Sequence, residues 1–256
     1  MPTVEFADER LWVRSADGPS PPLVFVHGAG ASSLSWILQY RQYRGRHRLV
    51  QVDLPGHGRS AGAGRAALPE YAAVVLGLLD ALGLDRVVLF GHSMGGGIAL
   101  ALALAAPERL AGLVLTSTSA KLGAAPPVLR QIREAPETLP ELMGPFICAP
   151  GAPAEIVERS VAMLVEAGPE LLAGDLEACE IPDHRPRLAE IQVPALVVTG
   201  RQDLLTPPAD AEHLAAHLPD AELRLIEGAG HMVMIETPAE YHAAVDVFLA
   251  RPGVAG

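Results

Sequence analysis

The stretch Arg86–Pro107, RVVLFGHSMGGGIALALALAAP, decides the predicted fold. It opens with a continuous apolar run, which is typical of a strand buried on both faces of a parallel sheet. The pentapeptide Gly91–Gly95 fits G-x-S-x-G, in which a strand turns sharply into a helix and exposes a serine hydroxyl at the sheet edge. Glycine two positions to either side leaves room for the strained backbone of that serine. Ser93 is therefore the candidate nucleophile.

A serine hydroxyl needs a base to accept its proton. His231, in GAGHMVMIETP, follows the last predicted strand, so we expect it at the carboxyl edge of the sheet beside Ser93. His57, in LPGHGRS, also follows a strand and is the main alternative base. His92 adjoins the nucleophile, and we expect its side chain to point away from Ser93 and to pack or form hydrogen bonds.

The base in turn needs an acid that orients it. Asp203, in VVTGRQDLLTPP, follows the penultimate predicted strand, and the order Ser93, Asp203, His231 matches one known hydrolase architecture. Asp53, in VQVDLPGHGRS, is the alternative acid. We favour Asp203, and interpret Asp53 as a hydrogen-bonding anchor of the GHG turn.

An acyl-transfer site also needs two backbone N–H donors for the developing oxyanion. Met94, directly after the nucleophile and at a helix start, supplies the first. The glycine-rich segment His27–Gly30, HGAG, follows another apolar run and lets the backbone approach a substrate. We expect the second donor to be the Ala29 N–H, with Gly28 beside it.

Strand and helix patterns alternate along the rest of the chain, which predicts a mostly parallel sheet covered by helices on both faces. Two short strands, Val4–Phe6 and Leu11–Ser15, are expected to form an N-terminal hairpin. The other apolar runs are Pro22–Gly30, His47–Gly56, Leu110–Ser119, Val193–Gly200 and Ala221–Gly228. The helical patterns are Ser33–Tyr43, Pro69–Leu82, Met94–Ala106, Pro207–Leu218 and Pro238–Ala250.

Residues 120–187 break this alternation. They show no strand pattern, and prolines separate short amphipathic stretches. We expect an all-helical cap or lid over the site, inserted into a core formed by residues 1–119 and 188–256.

Composition excludes several classes of protein. The chain has 256 residues, a formal net charge of −11 and 50% hydrophobic residues, which indicates a large core and disfavours nucleic-acid or anionic-membrane partners. Cys148 and Cys179 are its two cysteines, so no disulfide framework is expected, and whether the two approach each other stays open. Scattered histidines predict neither a metal site nor a cofactor. Without a visible export signal or membrane span, we expect a cytoplasmic monomer or homodimer.

The segments LVFVHGAG, VDLPGHGRS, FGHSMGG, VTGRQD and GAGHMVMIETP, in this order and spacing, resemble the α/β-hydrolase fold superfamily, in its serine-nucleophile, esterase-like branch with a helical cap. The resemblance covers nearly the whole chain, whereas residues 120–187 match only in being a cap. The short HGAG departs from the HGGG of another esterase branch. Substrate-pocket candidates are Gly28, Met143, Phe146, Ile147, Leu172 and Met232.

The resemblance implies a serine hydrolase that cleaves a small or medium carboxylic ester through a Ser-His-Asp triad and an acyl-enzyme. Its partner would be a small-molecule acyl substrate. The same residues would serve a thioesterase, a lactonase, or a carbon–carbon bond hydrolase or lyase. An alternative of another class is a ligand-binding receptor on a hydrolase scaffold.

Overall fold

The computed structural model describes residues 3–124 and 126–254, and an eight-stranded sheet forms its centre. The strands are β1 (Thr3–Phe6), β2 (Glu9–Ala16), β3 (Leu23–Val26), β4 (Leu49–Val52), β5 (Val87–His92), β6 (Leu110–Thr116), β7 (Ala195–Gly200) and β8 (Ala221–Ile226). Their order in the sheet is β1-β2-β4-β3-β5-β6-β7-β8. From β3 to β8 the strands are parallel, which confirms the mostly parallel sheet.

Burial explains which segments became central strands. Every residue of β3, β5, β6 and β7 is buried, as continuous apolar runs predict for strands covered on both faces. At one edge, β1 pairs antiparallel with β2 in the expected hairpin, with Val4 opposite Leu11. At the other edge β8 is largely half-buried.

Helices cover both faces of the sheet. They are α1 (Ile37–Tyr43), α2 (Leu68–Ala81), α3 (Met94–Ala105), α4 (Pro126–Glu134), α5 (Leu139–Ile147), α6 (Ala154–Ala167), α7 (Pro169–Ala178), α8 (Pro208–His217), α9 (Val233–Glu236) and α10 (Pro238–Leu249). Apolar side chains of α2, α3 and α8 form one buried cluster with the sheet, and those of α1, α9 and α10 form a second cluster. The predicted helices at these positions are confirmed.

The regular elements described between β6 and β7 are all helical. Helices α4 to α7 form this insertion. The second apolar cluster includes their buried side chains Ile132, Val161, Leu164 and Leu172. The insertion therefore packs back onto the body of the protein, which keeps its apolar side chains out of water.

Candidate active site

Ser93 stands at a sharp turn between β5 and α3. Its backbone has φ 53° and ψ −117°, a conformation that a residue with a side chain rarely adopts. The Ser93 N–H donates to the Thr116 carbonyl at 3.0 Å, and Thr118 Oγ1 donates to the Ser93 carbonyl at 2.7 Å. These bonds from the end of β6 hold the strained residue in place.

Glycine is required on both sides of this turn. A Cβ on Gly91 would collide with the carbonyl of Gly95, and a Cβ on Gly95 would collide with the carbonyl of Val26 in β3. The small residues of the G-x-S-x-G pattern thus let α3 start directly against the sheet. This close approach places the Ser93 side chain above the sheet edge.

His231 and Asp203 come together in the loops that follow β8 and β7. His231 Nδ1 lies 2.9 Å from Asp203 Oδ2 and 3.1 Å from Oδ1, and both residues are buried. Nδ1 is therefore the protonated nitrogen, which leaves Nε2 as the acceptor. His231 and Ser93 line the same cavity, although no hydrogen bond joins their side chains in the described residues. Contacts of this kind commonly tighten only when substrate binds.

Asp203 is held as an anion by its surroundings. Burial by itself would raise the pKa of this carboxyl, but His231 and the Thr206 N–H and hydroxyl outweigh burial and lower the pKa to about 2. The Leu205 and Thr206 N–H groups donate to Oδ1 at 2.9 and 3.0 Å, and the Thr206 hydroxyl donates to Oδ2 at 2.9 Å. A carboxylate fixed in this way can orient the imidazole and stabilise its charged form.

Two further side chains fix the loop that carries His231. His92 Nε2 donates to the His231 carbonyl at 3.0 Å; burial lowers the pKa of His92 to about 3, so its ring stays neutral. Glu236 accepts from the Gly230 and Met232 N–H groups, both at 3.0 Å. The sequence analysis anticipated a role of this type for His92 and missed Glu236, whose signal is an acid five residues after the candidate base.

The candidate oxyanion donors flank the cavity at Ser93. Ala29 and Gly28 line the cavity, and Met94 is the first residue of α3. In the described residues neither the Ala29 nor the Met94 N–H donates to another backbone group outside the regular elements. Both N–H groups are therefore available to a substrate oxygen.

The cavity around Ser93 is small and apolar. Its volume is about 60 Å³, and its remaining lining residues are Ala31, His92, Met143, Ile147, Ser160, Met163, Leu164, Leu172, Leu176, Leu205 and Met232. All the pocket candidates from the sequence therefore line it except Phe146, which is 42% exposed. On α5, Phe146 lies about 100° around the helix from Ile147 and about 60° from Met143, at the flank of the face that lines the cavity, where solvent reaches it.

Several lining residues are not among the pocket candidates given above, although Met163 and Leu164 belong to the apolar side chains of the insertion from which a roof over Ser93 was expected. Ser160, Met163 and Leu164 have helical spacing on α6, and Leu176 follows Leu172 by four residues on α7. This spacing marks one face of each helix and could have identified them.

The two alternatives for base and acid lie apart from this triad geometry. His57 is paired with Asp175 of α7 at 2.7 Å. Asp53 accepts from the Ser33 N–H at 2.7 Å and the Arg59 N–H at 3.0 Å, so it anchors loops as interpreted from the sequence.

Other site types find little support in residues 3–124 and 126–254. No group of three or more His, Cys, Asp or Glu side chains there could hold a metal ion, and no helix there has the length and apolarity needed to cross a membrane. Cys148 and Cys179 are free and buried, and burial raises the pKa of both thiols.

A family model for the alpha/beta hydrolase family matches residues 23–244. The chain belongs to this family. Among solved structures, an esterase from Thermogutta terrifontis superposes with a TM-score of 0.86 at 29% identity, covering 96% of this chain and 97% of that one. Membership of a hydrolase family and the α/β-hydrolase fold, both expected from the sequence, are thus confirmed.

Curated relatives span more than one reaction. The 3-oxoadipate enol-lactonase 2 of Acinetobacter baylyi is 30% identical over 240 residues, which is 90% of this chain and 89% of that protein. A 2-hydroxy-6-oxononadienedioate/2-hydroxy-6-oxononatrienedioate hydrolase of Burkholderia vietnamiensis is 31% identical, over 90% of this chain and 87% of that protein. The dihydrolipoyllysine-residue acetyltransferase component of an acetoin cleaving system of Pseudomonas putida is 32% identical over 94% of this chain, which spans 66% of that protein.

Proposed function

We propose that this hydrolase cleaves a neutral carboxylic ester through Ser93, His231 and Asp203. The observation that carries the proposal is the 2.9 Å contact between His231 Nδ1 and Asp203 Oδ2, beside a strained serine in the same cavity. This contact leaves His231 Nε2 with its lone pair for the Ser93 proton. Oxyanion stabilisation by the Ala29 and Met94 N–H groups completes the machinery.

The reaction proceeds in two halves. Ser93 Oγ attacks the acyl carbon, and its proton moves to His231 Nε2. The carbon–oxygen bond to the alcohol then breaks, and the leaving oxygen takes that proton, which leaves an acyl-Ser93. Water attacks the acyl carbon with His231 again taking a proton, and collapse of the second tetrahedral adduct returns that proton to Ser93 Oγ and frees the acid.

The cavity supports a short acyl group. Since one water molecule needs roughly 10–15 Å³ of such cavity volume, 60 Å³ admits only a handful of heavy atoms. A groove of about 550 Å³ lies next to it between α1 and α6, and both spaces share Ser160 and Met163 as wall residues. We place the longer part of the substrate in this groove, with residues 120–187 acting as the cap.

The charge of the lining of the 60 Å³ cavity favours a neutral acyl group. The described lining of the 60 Å³ cavity contains no Arg or Lys, so a substrate carboxylate would be buried there without a partner, at a cost of several kcal/mol. The exposed Arg133 is already paired with Glu177 at 2.6 Å and Arg159 with Glu155 at 2.7 Å, and Arg41, which lines the groove, is exposed to water. A neutral lactone is the second candidate, because the enol-lactonase relative opens a lactone, although a 3-oxoadipate lactone keeps one free carboxylate.

A fluorophosphonate probe and a panel of p-nitrophenyl esters from acetate to decanoate test the proposal. We expect covalent labelling that Ser93→Ala abolishes, and turnover highest for the shortest acyl chains. Thioester, γ-lactone and β-diketone substrates run in parallel separate the related hydrolases. Saturable ester binding without turnover or labelling would refute the proposal and favour a receptor.

A further inference from the structure

A second histidine–carboxylate pair is buried away from Ser93. His57 Nε2 lies 2.7 Å from Asp175 Oδ2, and neither side chain is exposed to solvent. His57 follows β4, whereas Asp175 lies on α7 of the insertion, 118 residues further along the chain. Burying such a pair costs desolvation free energy, which additional hydrogen bonds must offset. The partners in those hydrogen bonds identify the segments that the pair holds in place.

Asp175 accepts hydrogen bonds from three separate segments. Besides His57, the Gly30 N–H donates to Oδ2 at 2.9 Å, and the Tyr71 hydroxyl donates to Oδ1 at 2.7 Å. Burial beside Asp175 raises the pKa of Tyr71, so its hydroxyl keeps the proton that it donates. His57 Nδ1 faces the Pro55 carbonyl at 3.0 Å, which can only accept. Each His57 ring nitrogen thus has an oxygen acceptor beside it, and both oxygens of the Asp175 carboxylate have hydrogen-bond partners.

The Gly30 contact reaches the candidate oxyanion donor. Gly30 follows Ala29 directly and has φ +59°, a conformation suited to glycine. A Cβ at this position would lie 2.8 Å from Leu172 Cδ1, on the same helix as Asp175. The loop that presents the Ala29 N–H is thus pressed against α7 and hydrogen-bonded to it.

The preceding peptide group is held from the other side. Leu54 N–H donates to His27 Nε2 at 3.0 Å, so Nδ1 carries the ring proton and donates to the Gly28 carbonyl at 2.8 Å. Burial lowers the pKa of His27 to about 4, which keeps this ring neutral. In a trans peptide the C=O of one residue and the N–H of the next point in opposite directions, so fixing the Gly28 carbonyl directs the Ala29 N–H away from His27.

We propose that Asp175 is a positioning residue, which orients the Ala29 N–H by binding the next amide, Gly30. On this proposal, which rests on the proposed function, the oxyanion site is complete only while α7 is docked on the core. The inserted helices then contribute to turnover as well as to substrate choice. His57 and Tyr71 act by holding the Asp175 carboxylate in place.

Replacing Asp175 by Ala and by Asn separates positioning from general packing. Asp175→Ala removes the partner of the Gly30 N–H, and we expect kcat for p-nitrophenyl acetate to fall about 10- to 100-fold with KM within about twofold, since deleting a donor outright costs ~10²–10³. Asp175→Asn can place its oxygen toward Gly30 and His57 and donate its NH₂ to Tyr71. It should therefore recover most of kcat even if it remains less stable.

A transition-state analogue supplies the second readout. A trifluoromethyl ketone forms a tetrahedral adduct with Ser93, and its inhibition constant should worsen by the same factor as kcat/KM in Asp175→Ala. The inhibition constant of a product alcohol should not change. Glu177→Ala is the matched control, because Glu177 lies on α7 but pairs with the exposed Arg133.

The outcomes distinguish the two proposals. A wild-type protein without ester turnover or labelling refutes the proposed function itself. An active wild type with unchanged kcat in Asp175→Ala, or an Asn variant as slow as the Ala variant, overturns the positioning role. If the Ala variant does not fold, Tyr71→Phe still tests it, because this change frees Asp175 Oδ1 and leaves the Gly30 contact as the carboxylate's backbone bond. There we expect a smaller loss of kcat, at least threefold, matched by the loss in affinity for the trifluoromethyl ketone, and a loss of kcat below threefold overturns the proposal.

Discussion

Asp203→Asn places an amide at a position where the surrounding hydrogen-bond donors allow only one orientation of that amide. Oδ1 accepts from the Leu205 and Thr206 N–H groups, which can only donate. The amide oxygen must therefore stay at the Oδ1 position, and the NH₂ group takes the place of Oδ2, 2.9 Å from His231 Nδ1. The variant changes one atom type and leaves the shape of the loop intact.

This substitution should reverse the tautomer of His231. The NH₂ group donates at the shorter 2.9 Å contact, whereas Oδ1 lies 3.1 Å away and already accepts two backbone bonds, so we expect Nδ1 to become the acceptor and the ring proton to move to Nε2. Nε2 is the nitrogen that has to take the proton of Ser93, so the base is lost. An enforced wrong tautomer costs about 10⁴ in kcat, or about 5 kcal/mol of transition-state stabilisation, while KM should change little.

The assay is steady-state hydrolysis of p-nitrophenyl acetate, with thermal unfolding measured on the same samples. Asp53→Asn is the matched control, because its two oxygens accept from the Ser33 and Arg59 N–H groups far from the imidazole. In Asp53→Asn the NH₂ group would face one of these two backbone N–H groups, and two donors cannot form a hydrogen bond. The free energy of unfolding should therefore fall by about 1–3 kcal/mol, with kcat reduced less than tenfold. If Asp203→Asn kept more than a tenth of wild-type kcat, or if Asp53→Asn were the slower variant, our assignment of the acid would be wrong.

Four other outcomes follow from the same geometry. Ser93→Ala should lower kcat by roughly 10⁴–10⁶ and abolish fluorophosphonate labelling with the melting temperature maintained; residual labelling would identify another nucleophile. Met163→Ala joins the cavity to the neighbouring groove and should shift the ester chain-length optimum upward, whereas Val165→Ala, on the exposed side of α6, should not. Gly95→Ala should destabilise the fold by on the order of 3 kcal/mol or more, measured by denaturant unfolding, because its Cβ meets backbone. The pKa of Asp203 is about 2 in the folded protein, below its ordinary 3.8, so the ionised carboxylate adds about 2 kcal/mol to the free energy of unfolding above pH 4. This contribution is lost as the pH falls toward 2, and acid unfolding of Asp203→Asn should lack that pH dependence.

The sheet and the serine turn could be predicted because their signals are local. A buried parallel strand has to be apolar along its whole length, and the turn at Ser93 needs glycines at fixed offsets. Both constraints act within a dozen residues, so they are visible in the sequence. The register of the N-terminal hairpin also follows from neighbouring residues.

The pocket could be predicted only in part, because it depends on how separate helices face each other. Apolar residues of the insertion divide between packing and lining, and composition does not decide between the two. Phe146 was expected to line the pocket and is 42% exposed, whereas Met163 was omitted and lines the cavity. The angle at which α5 and α6 dock on the core decides this, and no short motif encodes that angle.

The choice between the two candidate bases depends on long-range contacts as well. His57 and His231 both follow strands, and in the structure each lies within 3 Å of a carboxylate, so pairing alone does not distinguish them. The distinction lies in the second ring nitrogen. His57 Nδ1 lies beside a backbone carbonyl, Nε2 lies beside Asp175, and the side chain is sealed from solvent, so neither ring nitrogen faces a substrate. His231 uses only Nδ1, and its ring borders the cavity of Ser93, so Nε2 remains open to the nucleophile. Asp175, the partner of His57, comes from the insertion, so under the proposed function the helices between β6 and β7 leave His231 as the free base.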